Sequence, residues 1–324
     1  MRSVRSLVAV AVFVGALALP LMGAEARPTR RDPALSVPTA DLDAALHCPA
    51  GFDGSGRGEP VLLVHGTFTN GEENYSWNYL AELPLLGFDV CYVNLPQRSM
   101  GDIQVASEYV VHAIRRMRAI SGERVDILGH SQGGLEPRWA LRWWTGTRRQ
   151  VDDLVTLATP HHGTALASQQ DGETPVTCPA CRQMSPESQF IALLNSVDET
   201  PGDVSYTSIY SELFDELVQP PETAILAGGT SIAVQDVCPA RFVDHISIAA
   251  DDAVYRMVLD AFTNPGPTNV ARLPLTTCLG TFFPRQAGLQ GFLDTFADSI
   301  TNPQPFPFPE DDGQEPEPAP YTQV

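Results

Sequence analysis

The sequence contains no lysine, and each of the 20 basic residues among its 324 residues is an arginine. Against them stand 39 acidic residues, which gives a formal net charge of −19 at pH 7. A chain with this acidic excess is repelled by nucleic acid and by anionic membranes, so neither is a predicted partner. An internal repeat is also lacking. Beyond the N-terminal region, no apolar run reaches the ~20 residues that span a bilayer.

Residues 1–26 have the pattern of a secretory signal peptide. Arg2 and Arg5 precede an apolar run from Leu7 to Leu19, and Ala24-Glu25-Ala26 supplies the small residues of a cleavage site. The apolar run is too short to act as a membrane anchor. We therefore expect a secreted, extracellular protein with no transmembrane segment.

The remaining chain is predicted to form one domain, at residues 27–301, followed by a tail. Residues 27 to about 45 are rich in arginine and proline at their start and are predicted to be an extended arm. Residues 302–324 contain seven prolines and five acidic residues with little apolar content. Such a composition cannot bury enough apolar surface to fold, so we expect this tail to be disordered.

The six cysteines are even in number and lie in a chain that we expect to be exported, which favours three disulfides. Cys178 and Cys181 are so close that a local bridge is the simplest choice. Pairing the other four by sequence proximity gives the predicted bridges Cys48–Cys91 and Cys238–Cys278. The alternative is a zinc site made of Cys178, Cys181, His161 and His162. Export and the even number of cysteines weigh against it, so no metal is expected.

Apolar strand-like runs alternate with helical patterns along the domain. The predicted strands are Val61–Val64, Phe88–Val93, Val125–Leu128 and Asp153–Leu157; the predicted helices between them include Asp102–Ile120 and Leu135–Trp144. Strands that alternate with helices in this way predict an α/β fold, a mostly parallel sheet with helices on both faces. Residues 165–200 lose this regularity and are predicted to be a lid or cap excursion over the functional edge of the sheet.

Gly129-His130-Ser131-Gln132-Gly133 lies between a predicted strand and a predicted helix. This is the setting in which G-x-S-x-G forms a nucleophile elbow, a strained turn that exposes the serine hydroxyl. Only small residues fit two positions before and after that serine, and glycines occupy both. The pattern therefore predicts Ser131 as a nucleophile; the alternative is a plain glycine-rich turn.

A serine nucleophile needs a histidine base, and the histidine needs a carboxylate that orients it. In α/β-hydrolases the three follow in the order Ser, Asp or Glu, His, and only His245 lies far enough downstream of Ser131. The carboxylate is less determined by the sequence. The candidates are Asp203, Glu212, Asp215, Glu216, Asp236 and Asp244. Asp215 is favoured because it follows the alternating strand Tyr206–Tyr210 by a short loop, while Glu212 and Glu216 remain competitors.

Acyl transfer also needs backbone N–H donors for the oxyanion. One donor is expected from the residue after the nucleophile, Gln132. The second is expected from the loop after an early strand, where His65-Gly66-Thr67-Phe68 follows Val61–Val64. The Thr67 amide, together with its hydroxyl, is therefore the second predicted donor.

These segments together resemble the secreted α/β-hydrolase lipases of the Candida antarctica lipase B type, over about residues 45–280. The similar segments are Val61–Thr67, Ser131–Leu135, Asp215–Pro220, Val237–Cys238 and Phe242–His245. The resemblance implies that Asp215 is the triad acid, and it implies the bridges Cys48–Cys91 and Cys238–Cys278.

The chain also departs from that family. His65 stands where the family tends to have proline, and Thr159–Thr164 resembles bacterial lipases instead, which implies that His161 and His162 brace the pocket floor. Leu289, Phe292, Leu293, Phe296 and Ile300 share one helical face. By position they resemble the late helix that walls the substrate entrance, and core packing is the alternative.

The expected function is that of a secreted serine ester hydrolase, without metal or organic cofactor, that cleaves triacylglycerols or other lipid esters through an acyl-enzyme. Its expected partner is an ester substrate, at a lipid–water interface, and the expected oligomeric state is a monomer. A short-chain esterase or cutinase-like polyester hydrolase is the alternative within enzymes. An acyltransferase and a non-catalytic lipid binder are further alternatives.

Overall fold

The computed structural model describes residues 31–168, 178–283, 309–310 and 312–323. Its strands are β1 (Leu46–His47), β2 (Val61–Val64), β3 (Val90–Val93), β4 (Val125–His130), β5 (Val151–Leu157), β6 (Ser205–Tyr210) and β7 (Thr230–Ala233). Its α-helices are α1 (Thr39–Ala45), α2 (Gly71–Tyr75), α3 (Tyr79–Glu82), α4 (Ile103–Ser121), α5 (Leu135–Trp143), α6 (Ala165–Ser168), α7 (Pro179–Gln183), α8 (Gln189–Leu194), α9 (Val234–Val237) and α10 (Asp252–Thr263). Among the described residues, no helix is long and apolar enough to cross a membrane.

The seven strands form one sheet in the order β1-β3-β2-β4-β5-β6-β7. All neighbours pair in parallel except β1, which runs antiparallel to β3 at the edge. The prediction of an α/β fold with a mostly parallel sheet is confirmed. Because the strands are parallel, the loops that follow β2, β4, β6 and β7 all leave from the carboxyl ends of the strands. These ends form the site edge of the sheet, which carries the candidate site.

Two apolar cores cover the two faces of the sheet, as the alternation of side chains along a strand requires. In β2, Leu62 and Val64 belong to the core that packs under α4 and α5, whereas Val61 and Leu63 belong to the core under α10. All four side chains are fully buried, which explains why the strand is a continuous apolar run. The sheet is therefore held from both sides and gives its loops fixed starting points.

Helix α4 closely matches its prediction. The Asp102 carboxylate accepts the N–H of Gln104 at the start of the helix, and Gly122 ends it in a left-handed conformation with φ of 75°. The predicted extended arm is wrong in its last part. Residues 39–45 form α1, which buries Leu42 and Ala45.

The predicted lid differs from the observed structure of residues 178–194. Helices α7 and α8 lie at the site edge of the sheet, where Gln183 accepts the N–H of Ile103 at the start of α4. Their apolar side chains are part of the core under α4 and α5; Phe190, for example, stacks on Trp139 with ring centroids 4.6 Å apart. This part of the excursion is packed into the core rather than laid over the site. Residues 169–177 lie outside the described residues.

The expected disorder of the tail does not hold for its described end. The Tyr321 hydroxyl accepts a hydrogen bond from the Trp139 indole at 3.0 Å, and its ring lies 5.0 Å from that of Trp144. The Glu315 carboxylate accepts the first two N–H groups of α8, and Gln104 bonds to the backbone of the tail. One aromatic anchor and a few backbone hydrogen bonds therefore order a segment whose average composition is that of a disordered chain.

The predicted signal peptide and the predicted late helix, which carries Leu289 to Ile300, both lie outside the described residues. They remain predictions.

Candidate active site

Ser131 occupies a sharp turn between β4 and α5. Its φ is 57°, in the left-handed region that a non-glycine residue rarely adopts, and residues 131–134 form a single 3₁₀ turn. A Cβ on Gly129 would lie 2.3 Å from the Gly133 carbonyl oxygen, and one on Gly133 would lie 2.2 Å from the carbonyl oxygen of Val64. Both glycines are therefore required by contact, as the sequence predicted, and the serine side chain stays partly exposed.

A hydrogen-bonded chain joins the serine to a histidine and a carboxylate. His245 Nε2 lies 2.9 Å from Ser131 Oγ, and His245 Nδ1 lies 3.1 and 3.0 Å from the two carboxylate oxygens of Asp215. A carboxylate only accepts, so Nδ1 carries the ring proton and Nε2 is left to accept the proton of the serine hydroxyl. The arrangement can transfer that proton without moving a side chain.

Asp215 is held in its ionised form. Burial raises the pKa of its carboxyl group, but the hydrogen bond from His245 and the backbone N–H groups of Leu217 and Val218 outweigh burial and leave the pKa below its ordinary value. Both N–H groups donate to Oδ1, at 2.9 and 2.8 Å. A fixed carboxylate of this kind is what orients a histidine and stabilises its protonated form.

The competing carboxylates lie elsewhere. Glu216 accepts the backbone N–H of His245 at 3.3 Å and thus contacts the loop rather than the ring. Asp244 accepts the N–H of Ser247 at 2.7 Å within its own turn. Glu212 bonds through its backbone N–H to Gln235. The geometry therefore singles out Asp215 among the candidates that the sequence left open.

The predicted oxyanion segment lies directly against the serine. A Cβ on Gly66 would lie 2.9 Å from Ser131 Cβ, so the chain passes as close as glycine allows. The Thr67 hydroxyl donates to the side-chain oxygen of Gln132 at 2.6 Å, and Gln132 in turn donates to the carboxyl group of Glu136 at 2.7 Å. The structure thus brings Thr67 and Gln132 together beside Ser131.

Two residues to which the sequence pattern assigned no role, His65 and Arg98, hold this segment. His65 is fully buried, and burial lowers its pKa to about 4, so its ring is neutral at pH 7. Its Nε2 accepts the N–H of Leu95 at 3.0 Å, and its Nδ1 donates to the Gly66 carbonyl at 2.8 Å. Arg98 forms an ion pair with Glu73 and also donates to the carbonyl of Phe68. The only sequence signal was the histidine itself, next to a glycine at the end of a strand.

His161 and His162 do not contribute to a metal site with the nearby cysteines. Cys178 and Cys181 form a disulfide, which removes them as zinc ligands. His161 is buried, with its Nε2 3.0 Å from the Thr156 hydroxyl, and His162 Nε2 lies 3.1 Å from the Glu199 carboxylate. Both histidines thus have local partners within the fold, and the role implied for them at the pocket floor stays a prediction. The other two predicted disulfides, Cys48–Cys91 and Cys238–Cys278, are also present.

Exposed apolar side chains flank the acid and the histidine. Leu213 and Phe242 are 60% and 66% exposed, and Ile246 is 47% exposed. Phe214 and Phe242 contact each other, with ring centroids 4.8 Å apart. These apolar side chains lie on the two loops that carry Asp215 and His245, and Glu212 and Glu216 are exposed on the first of them. Both loops therefore present apolar surface beside the site, at its rim.

Sequence comparison identifies lipases among the relatives of this chain. Lipase B of Pseudozyma antarctica is 32% identical over 260 residues, which cover 78% of this chain and 75% of that protein. A triacylglycerol lipase of Burkholderia plantarii is 30% identical over 174 residues, 51% of this chain and 44% of that protein. Residues 98–175 match the PGAP1-like alpha/beta domain.

Solved structures agree with these relatives. Lipase B of Aspergillus fumigatus superimposes with a TM-score of 0.76 at 31% sequence identity, covering 90% of this chain and 73% of that chain. The mature lipase BlEst2 of Bacillus licheniformis gives a TM-score of 0.50 at 18% identity, over 59% of this chain and 86% of its own. At that identity the second likeness concerns the fold alone.

Proposed function

We propose a function from one established premise, that the chain belongs to the lipase B family of α/β-hydrolases. The proposed function is that of an exported serine hydrolase that cleaves lipid esters through an acyl-enzyme. A lipase or esterase activity follows from the family itself. The observation that carries the serine mechanism is the 2.9 Å contact between Ser131 Oγ and His245 Nε2. It is the geometry that general-base activation of a hydroxyl requires.

The proposed reaction has two halves. Ser131 Oγ attacks the ester carbonyl carbon while its proton passes to His245 Nε2, and the carbonyl oxygen becomes an oxyanion. The bond to the alcohol then breaks, and His245 returns the proton to the leaving oxygen. Water attacks the acyl carbon in the second half while one of its protons passes to His245. The bond between that carbon and Ser131 Oγ then breaks, His245 returns the proton to Oγ, and the free acid leaves. Asp215 stabilises the protonated histidine in both halves.

The oxyanion is proposed to bind between the backbone N–H groups of Thr67 and Gln132; the Thr67 hydroxyl, whose single proton is donated to the Gln132 side chain, holds the two residues together. The close approach of Gly66 to Ser131 supports this position because it brings the segment within reach of the reacting carbon. Donors fixed in place before the reaction stabilise the developing charge without reorganisation. His65 and the Arg98–Glu73 ion pair supply that rigidity.

An apolar ester is the substrate class that the rim supports. Leu213, Phe214, Phe242 and Ile246 surround the acid and the histidine with apolar surface. Burying such surface against acyl chains or a lipid–water interface gains roughly 25 cal/mol per Å². Export is supported by the three disulfides, which persist in oxidising compartments, and by the predicted signal peptide.

The nucleophile is tested with p-nitrophenyl butyrate and a fluorophosphonate probe. Ser131→Ala is expected to lower kcat by a factor on the order of 10³ or more and to abolish labelling. Ser76→Ala, at an exposed serine of the same domain, is the matched control and should leave both unchanged. Activity of Ser131→Ala within tenfold of the unmodified chain would refute the triad.

A second measurement tests the substrate class. Hydrolysis is followed for esters of increasing acyl length, and for emulsified triolein beside a soluble ester. We expect activity on triolein, reduced in Phe242→Ser relative to the soluble ester because the apolar rim is interrupted. Activity confined to short soluble esters would instead indicate a short-chain esterase with the same triad.

A further inference from the structure

Three carboxylates meet at a β-bulge between β4 and β5, at the end of these strands away from Ser131. Val125 pairs with Val151 and Ile127 pairs with Leu154, so Asp152 and Asp153 both oppose Asp126. The extra residue in β5 turns side chains that would otherwise alternate toward a common point. One carboxylate oxygen from each of the three aspartates lies within 4.8 Å of those of the other two.

Two of these carboxylates are buried and incompletely satisfied. Asp126 and Asp153 are 1% and 3% exposed. Asp126 Oδ1 accepts the N–H of Asp153 at 3.3 Å, but Asp126 Oδ2 and Asp153 Oδ1 have no hydrogen-bond partner among the described residues. A buried carboxylate oxygen without a donor or a cation is costly, so the unpartnered atoms themselves indicate a missing ligand.

The local charges do not supply that ligand. Arg124 pairs with Asp152 at 2.9 Å and directs its other N–H groups to the carbonyl oxygens of Val151 and Asp203. Among the ion pairs of the described residues, none includes Asp126 or Asp153. Arg124 is paired with Asp152. Its charge and a hydrogen bond with Ser205 also favour an ionised Asp153, but they do not outweigh burial, so Asp126 and Asp153 have no ion-pair partner of their own when both are ionised.

Without a cation, the two buried carboxylates are driven toward their protonated forms. Burial, followed by the neighbouring carboxylates, raises the pKa of Asp153 to about 8 and that of Asp126 well above its ordinary value. A shared proton is thus the alternative to a bound cation. The two states differ in their response to added metal.

We propose that Asp126, Asp152 and Asp153 bind one divalent cation, and that Ca²⁺ is the ion they fit best. Carboxylate oxygens alone select hard cations over zinc. Calcium bonds of 2.3–2.6 Å allow two ligand oxygens to stand as far as about 5 Å apart, which accommodates the 4.8 Å limit here. The shorter bonds of Mg²⁺ span only about 4.2 Å between two ligand oxygens, so Ca²⁺ tolerates the whole range up to the 4.8 Å limit and Mg²⁺ only part of it. Asp152, whose side chain is 36% exposed, gives the ion a route from solvent and a face for water ligands.

The proposed site is structural rather than catalytic. It would connect β4 to β5 at the opposite end from the elbow, and no step of ester hydrolysis passes through it. No sequence motif predicts this site, because the three residues come together only through the bulge. Its failure would leave the proposed hydrolase function untouched, and the reverse also holds.

The test uses the full chain after treatment with EGTA, titrated with CaCl₂ by calorimetry and followed in thermal unfolding. We expect one Ca²⁺ per chain and a rise in Tm of about 5 °C at saturating Ca²⁺. The double variant Asp126→Asn/Asp153→Asn keeps the shape of the side chains and should weaken Ca²⁺ binding at least tenfold. Glu123→Gln, at a nearby exposed acid outside the group, is the matched control.

Two results would overturn the proposal. The first is the absence of calorimetric Ca²⁺ binding to the unmodified chain, which does not depend on any variant folding. The second is an equal Ca²⁺ affinity in the unmodified chain and the double variant. A Tm that ignores Ca²⁺ but falls more steeply toward pH 8 in the unmodified chain than in the double variant would identify the shared proton as the true state.

Discussion

The Nε2 proton of His130 is donated to the backbone carbonyl oxygen of His245, 2.8 Å away. His130 is the residue immediately before the proposed nucleophile, so one turn holds both the serine and the loop of its base. Burial lowers the pKa of His130 to about 4, and the ring therefore stays neutral at pH 7 with its single proton on Nε2. We infer that His130 positions His245 without touching the substrate.

Replacing His130 by phenylalanine removes this donor and keeps a ring of similar size. We expect kcat on a soluble ester to fall by a factor of about 10 to 100, with KM little changed, because His245 is no longer held at its 2.9 Å contact. His130→Gln places an amide N–H near the Nε2 position and should recover most of the loss. Equal kcat values for the phenylalanine variant and the unmodified chain would contradict a positioning role.

Replacing Glu136 by glutamine changes the pH dependence of stability. Burial raises the pKa of this fully buried carboxyl group to about 8, and its Oε2 has no partner among the described residues. Between pH 4.5 and 8 the folded chain keeps the proton that the unfolded chain has lost, so the free energy of unfolding falls as the pH rises, by up to about 1.4 kcal/mol per pH unit. Glutamine does not titrate, so the variant lacks this contribution to the pH dependence of the free energy of unfolding.

Urea unfolding of both proteins at pH 5 and pH 8 checks this prediction. The advantage of Glu136→Gln should grow with pH to an order of magnitude of a few kcal/mol, while the hydrogen bond from Gln132 is kept. Glu123→Gln, at an exposed acid without an ion pair among the described residues, serves as the control. If the difference in free energy of unfolding between Glu136→Gln and the unmodified chain is the same at both pH values, Glu136 is ionised throughout that range.

The parts of the site that the sequence predicted are those set by local pattern or by chain order. Ser131 follows from two glycines between a strand and a helix, and His245 follows from being the only histidine far enough downstream. Asp215 differs from its neighbours only through the two N–H groups that its carboxylate accepts and the ring it faces. Those contacts arise from folding, so residue pattern alone left several acids in competition.

The misassigned segments fail for a related reason. Average composition predicts a disordered tail, but Tyr321 accepts a hydrogen bond from Trp139 and makes an aromatic contact with Trp144. The excursion at residues 178–194 lacks regular periodicity because its helices are only five and six residues long. Single anchors and short helices leave little trace in periodicity or composition.

Arg241 is expected to be essential for stability. Its Nε donates to Asp251 at 2.6 Å, and its guanidinium also bonds to the carbonyl oxygens of Cys278 and Thr281. Asp251 in turn caps the start of α10. Arg241→Ala would leave a 94% buried carboxylate without its cation, which costs about 3–5 kcal/mol. Arg241→Lys keeps the charge but loses the additional contacts. Its free energy of unfolding in urea should therefore lie between those of the alanine variant and the unmodified chain. An alanine variant as stable as the unmodified chain would show that the pair contributes nothing.

Two glycine-to-alanine substitutions separate lack of space from backbone strain. A Cβ on Gly133 would lie 2.2 Å from the Val64 carbonyl oxygen and 2.6 Å from that of His65, both backbone atoms that cannot move independently of β2. Gly133→Ala must therefore displace either the elbow or the predicted oxyanion segment, and we expect hydrolysis to fall at least about 100-fold.

At Gly122 there is space but the backbone is strained for other residues, since its φ is 75° and an added Cβ meets nothing within 4 Å. Gly122→Ala should cost about 1 kcal/mol of stability at the end of α4 and leave kcat unchanged. Measuring kcat beside the free energy of unfolding for both variants distinguishes the two effects. If Gly133→Ala lost stability but kept full activity per folded molecule, the close packing of the elbow against β2 would be needed for folding alone.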